Sequence, residues 1–119
     1  MELKTLLTHI LPSWVEDHFE LVGVNTTGDK LEISLDEHNH PPLADQGDQL
    51  ESKGFSSPIY LEDFPLRGKA VILKVRRRKW KSLTTGQTVT RDWKLAVQGT
   101  SYTEEFALFL KKVFGPPPH

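Results

Sequence analysis

Hydrophobic positions change their spacing several times along this chain, and each change marks an element. Leu3, Leu6, Leu7, Ile10 and Leu11 recur every three or four residues, which predicts a helix over 2–10. Pro12 interrupts it, and Pro12-Ser13 opens a second short helix near 13–18, with Trp14, Val15 and Phe19 inward. The period then falls to two. Residues 19–24 alternate, as do 30–35, where Leu31, Ile33 and Leu35 oppose Lys30, Glu32 and Ser34. The turn chemistry of Asn25-Thr26-Thr27-Gly28-Asp29 joins them into a hairpin.

Residues 36–57 hold no period. Pro41-Pro42, Gly47 and Gly54 punctuate them, so they read as a long loop. Residues 58–66 read as extended. A strand follows over 70–80, with Val71, Leu73 and Val75 on one face and Ile72, Lys74, Arg76, Arg78 and Trp80 on the other. A turn at 82–87, with Gly86 free to take positive φ, returns the chain as a strand over 88–97, where Val89, Arg91, Trp93, Leu95 and Val97 share a face. Thr103 is placed to cap a final helix whose stripe is Phe106, Phe109, Leu110 and Val113. Glu104 and Glu105 suit its start, Lys111 and Lys112 its end, and Gly115 its stop. The pattern describes one α+β domain over 1–115: a mostly antiparallel sheet of two hairpins, a short N-terminal helical segment and a C-terminal helix. A disordered Pro-rich tail is expected over 116–119.

With 119 residues and 37% hydrophobic content, the chain has the size and balance of one globular domain. It has no cysteine, so no disulfide, thiolate zinc site or thiol nucleophile is available. No apolar run approaches the roughly 20 residues a membrane span needs, and no secretory leader is visible; a cytoplasmic, non-membrane protein is expected.

Charge changes the picture more. The formal total of −1 hides a chain divided by sign. Residues 1–66 carry three lysines against thirteen acids. Residues 67–94 carry ten bases against one acid, a formal +9. Such asymmetry points to a polyanion partner. Five of the six residues 76–81 are basic, on consecutive strand positions that face both ways, so the hairpin is expected to project beyond the core as a basic ribbon. Arg76, Arg77, Arg78, Lys79 and Lys81 are the candidate phosphate contacts, with Arg67, Lys69, Lys74, Arg91 and Lys94 extending the patch. Trp80 and Trp93 either stack on bases or pack within the fold. The plainer reading of the same charges is a solvated hairpin whose arginines pair with the acidic first half of the chain, or of a partner.

Other candidate chemistry is thin. His38-Asn39-His40 supplies two metal ligands and no third at a suggestive spacing. The acid pairs Glu62-Asp63 and Glu104-Glu105 match no catalytic signature, and no Gly-rich phosphate loop is present. No enzyme, cofactor or metal is expected.

The stretch D-F-P-L-R-G-K (63–69), a strand ending in R-R-R-K-W (76–80), a T-G turn (85–86) and R-D-W (91–93) together resemble a specific family. It is the N-terminal-region protein of split transposases in bacterial insertion sequences of the ISAon-one type, related to the ISL-three group. The likeness runs from about Leu11 to Phe114. In the related full-length transposases this region binds zinc and DNA, ahead of a DDE catalytic domain. The resemblance implies a zinc-ribbon-like hairpin without metal here, because Ser82–Thr88 stands where a cysteine knuckle would turn the chain. It also implies a non-catalytic DNA-binding accessory that contacts element-end DNA and works with a separately encoded DDE transposase subunit. The alternative is a protein-interaction module that dimerises or binds that subunit without touching DNA, with a free sheet edge beside Leu31, Ile33 and Leu35 as one route to pairing. A second alternative is an enzyme using His38, His40 and nearby acids on a metal.

Overall fold

The computed structural model describes residues 9–41, 49–91 and 101–115. Its elements are α1 (Ser13–His18), β1 (Phe19–Thr27), β2 (Lys30–Glu37), β3 (Leu50–Phe55), β4 (Ile59–Leu66), β5 (Lys69–Arg76), β6 (Arg78–Ser82), β7 (Thr88–Thr90) and α2 (Glu104–Phe114). The class is α+β. The helix expected over 2–10 lies almost wholly outside the described residues, as do the tail and most of the strand expected over 88–97; His9 and Ile10 are helical.

Among the described residues the strands form two sheets instead of the single one expected: a four-stranded sheet ordered β1-β2-β5-β4 and a three-stranded sheet ordered β3-β6-β7. The β1–β2 hairpin forms as predicted, with a tighter turn: Thr27 pairs with Lys30, and only Gly28-Asp29 lies between them. Gly28 supplies the positive φ, 57°, that this two-residue turn needs. The β4–β5 hairpin closes through Arg67 and Gly68, both at positive φ (54° and 80°). Glycine takes that conformation freely, whereas arginine does so at a cost.

The two hairpins meet side by side, because β2 and β5 pair in parallel from Lys30↔Ala70 to Asp36↔Arg76. Alternation explains the burial. Val71, Leu73 and Val75 face Ile33 and Leu35, and with Leu11, Val15, Phe19, Leu21 and Leu61 they make the core. Trp14, Leu31 and Ile59 pack against it.

Three expectations need correction. Residues 36–57 are not all loop: Leu50–Phe55 is a strand paired antiparallel with β6. The strand read over 70–80 is two strands broken at Arg77, and only the second half pairs with the return strand, through Lys79↔Thr90, Trp80↔Val89 and Lys81↔Thr88. The break follows from β3 needing its own partner: the Ser56 N–H donates to the Arg77 carbonyl at 2.7 Å as the chain passes from one sheet to the other. Third, the edge beside Leu31, Ile33 and Leu35 is not free, since β2 is flanked by β1 and β5.

Among the described elements, helix α2 makes its main contact with β4. Residues 101–103 run beside that strand, with Glu62 N donating to Ser101 O at 2.7 Å and Thr103 N to Glu62 O at 3.0 Å. Thr103 occupies the predicted cap position, but its hydroxyl donates to the buried Asp63 carboxylate at 2.8 Å and does not cap the helix. Phe64 packs on Phe106 and Phe109 with ring centroids 5.2 and 5.3 Å apart. Of the predicted stripe only Phe106 is buried; Phe109 and Val113 are exposed.

Candidate nucleic-acid interface

The basic residues that run together in sequence are taken apart by the fold. Lys69 and Arg76 stand at opposite ends of β5, roughly 23 Å apart at strand rise. At the first end, Lys69 Nζ donates to the Gly28 carbonyl at 3.1 Å and Ala70 N to Asp29 O at 2.8 Å, which ties the two hairpin turns together. Arg67 is exposed in the turn itself. Lys74 lies on the outer face of the four-stranded sheet and lines a shallow depression there with Val22, Ser34 and Arg76.

At the other end, acids of β2 meet arginines of β5 and β6. Asp36 accepts Nε and Nη2 of Arg76 at 2.6 and 2.5 Å, a bidentate pair. Those hydrogen bonds hold the Arg76 guanidinium above its ordinary pKa, and the smaller opposing effect of burial does not reverse it. Glu37 is buried. Its Oε1 accepts the Arg78 backbone N–H at 3.0 Å, and its backbone carbonyl accepts Arg78 Nε at 2.9 Å. Arg78 Nη1 also donates to Ser52 at 3.0 Å. Arg91 donates to the His40 carbonyl at 2.7 Å, and its Nε lies 3.4 Å from Glu37 Oε2. That last approach is an ion pair by distance without hydrogen-bond alignment. Phe55 completes the cluster: the guanidinium carbons of Arg76 and Arg78 lie 4.2 and 4.6 Å from its ring centroid.

Three of the predicted contact residues, Arg76, Arg78 and Arg91, are therefore held by the chain's own acidic half, as in the plainer reading of the charges. Asp36, Glu37, Ser52 and Phe55 were not singled out from sequence. The adjacent acids ending an alternating strand were a signal for the first two; Ser52 and Phe55 lie in the segment read as loop. Trp80 needs correction as a base-contacting residue. It is fully buried, and its indole N–H donates to Asn39 Oδ1 at 3.0 Å, so it offers no ring face to solvent. Trp93 and Lys94 lie outside the described residues.

What stays outward is a lysine face on the second sheet. Along β6, Arg78, Trp80 and Ser82 point inward, and Lys79 and Lys81 point away. On β3, Ser52 is opposite Trp80 and points in, whereas Glu51 and Lys53 point out, with Glu51 opposite Lys81. Lys53 approaches Glu51 at 3.8 Å with both side chains about half exposed, a contact of little strength. Lys53 was missed because it sits in the segment read as loop. Arg77 lies at the junction of the sheets, half-buried, with Nε shielded and making no hydrogen bond.

The remaining candidates gain little. The His38 and His40 rings lie 5.3 Å apart. Among the described residues no group of three His, Cys, Asp or Glu side chains is placed to hold a metal ion, and no helix is long and apolar enough to cross a membrane. Glu62 and Asp63 are engaged with residues 101–103, and Glu104 and Glu105 stand exposed in the first turn of α2. Comparison with family models, curated proteins and solved structures finds no match.

Proposed function

We propose that this chain is a non-catalytic DNA-binding accessory of an insertion-sequence transposition system, and that it touches phosphates through the outer face of the β3-β6-β7 sheet. The carrying observation is the joint outward placement of Lys53, Lys79 and Lys81 on one sheet face, where Glu51 is the single acid of those strands. Three like charges on one face of a three-stranded sheet suit a polyphosphate backbone, which releases counterions as it is neutralised. Arg77 flanks that face. Arg78 and Arg91 act as its scaffold, tying that sheet to Glu37 at the end of β2. The link to transposition rests on the resemblance carried by residues 63–69, 76–80 and 91–93; the charge geometry supports the polyanion half of the reading.

The test is fluorescence-anisotropy binding to an insertion-sequence end and to a scrambled duplex over a salt series, with the Lys53/Lys79/Lys81→Ala variant alongside. Loss of these contacts is expected to weaken binding and flatten the log–log salt slope by about 2.7. Preference for the end sequence supports the accessory role. Wild-type protein that fails to bind either duplex at low salt sinks the proposal.

A further inference from the structure

We propose that the outer face of α2 is a self-pairing surface on which a second copy of this chain lays its own α2 antiparallel. Leu108, Phe109 and Val113 are 57, 44 and 56% exposed, with one edge of Phe109 packed on Phe64 of β4, the strand that is the helix's main contact among the described elements. Glu105, Leu108, Phe109 and Lys112 stand at i, i+3, i+4 and i+7, which aligns them along one side of the helix. That side is acidic at its start, apolar in its middle and basic at its end.

Such a pattern is complementary to itself reversed. An antiparallel mate centred between Leu108 and Phe109 places Leu108 on the mate's Phe109 and Glu105 beside the mate's Lys112, and two-fold symmetry repeats both contacts. A parallel mate would put like charge on like charge. A uniformly charged polyanion would be repelled at the acidic end. The helix of 11 residues is only about 16 Å long, so the area covered falls short of the roughly 800 Å² per partner of tight complexes. A weak, concentration-dependent dimer is the expected product.

The experiment is sedimentation velocity on the whole chain from about 5 to 500 μM, with circular dichroism on each variant. Wild type should move from monomer toward dimer across that range. Leu108→Glu should raise the dissociation constant at least about tenfold. Glu105→Lys and Lys112→Glu should each be monomeric alone and associate when mixed in equal amounts, because mixing restores both opposite-charge pairs. All three positions are exposed, so folding should survive; if Leu108→Glu is unfolded by dichroism, the charge-reversal pair decides. A wild type that stays monomeric throughout, a dimer indifferent to Leu108→Glu, or charge variants that fail to associate on mixing would each overturn the proposal.

Discussion

Asp36 takes both prongs of the Arg76 guanidinium, Nε at 2.6 Å and Nη2 at 2.5 Å, from directly across the parallel β2–β5 pair. The carboxylate fills both donors of a fork whose geometry also suits a phosphate. Replacing Asp36 with Ala should release Arg76 and raise affinity for any duplex without adding sequence preference, steepening the salt slope by about 0.9. Because the Arg76 side chain is 42% exposed, the stability loss should be only about 0.5–1 kcal/mol. Anisotropy and urea denaturation on the same variant check both halves; unchanged affinity would mean that this guanidinium cannot reach DNA.

Glu37 should behave differently. It is buried, holds the Arg78 backbone and lies beside Arg91, so Glu37→Ala leaves buried donors unanswered. A loss of about 3 kcal/mol is expected, several times that of Asp36→Ala. Chemical denaturation midpoints of the two variants measured together test the contrast.

Trp80 fills the interior of the second sheet. Trp80→Phe should cost about 1–3 kcal/mol through lost volume and the orphaned Asn39. DNA affinity should not change while the protein is folded. A large affinity loss at full stability would return Trp80 to the list of contact residues.

Arg67 sits at φ 54° in a two-residue turn, where most side chains are strained. Arg67→Gly should therefore raise thermal stability by about 1 kcal/mol. Gly68→Ala, at φ 80°, should lower it by a similar amount. Opposite shifts in melting temperature identify the turn as the cause.

Local pattern was enough to place α1, β1, β2, β4 and α2, since each carries its own period and its own stop. Pairing was another matter. Alternation places Val71, Leu73 and Val75 on one face but does not say that β5 lies beside β2, because hydrogen bonds between strands leave no mark on side-chain order. The segment 50–55 looked like loop because Gly54, at φ 92°, interrupts its alternation at the bulge in its pairing with β6. The basic run was plainly visible; its division among a salt-bridged cluster, a turn and an outward face depended on the kink at Arg77. The exposure of Phe109 and Val113 was equally hidden, as an apolar stripe does not announce whether anything covers it.

Several of the motif residues 63–69 are engaged in holding the fold together. Asp63 anchors Thr103, Phe64 receives the helix, Arg67-Gly68 turn the chain and Lys69 binds the neighbouring turn. Each of these contributions builds the fold.

The parallel pairing of β2 with β5 has a kinetic consequence. Asp36 meets Arg76, Glu37 meets Arg78, Asn39 meets Trp80 and Asp63 meets Thr103, all across 40 or 41 residues. Closing a loop of that length costs about 3 kcal/mol before any contact repays it. Each hairpin can form alone on a microsecond scale, but their docking must wait for the later segment. On a ribosome adding roughly 5–20 residues per second, the inner edge of β2 stays open for about 2–8 s after it emerges. During that interval the half-made sheet presents Ile33 and Leu35 to whatever other strand arrives first.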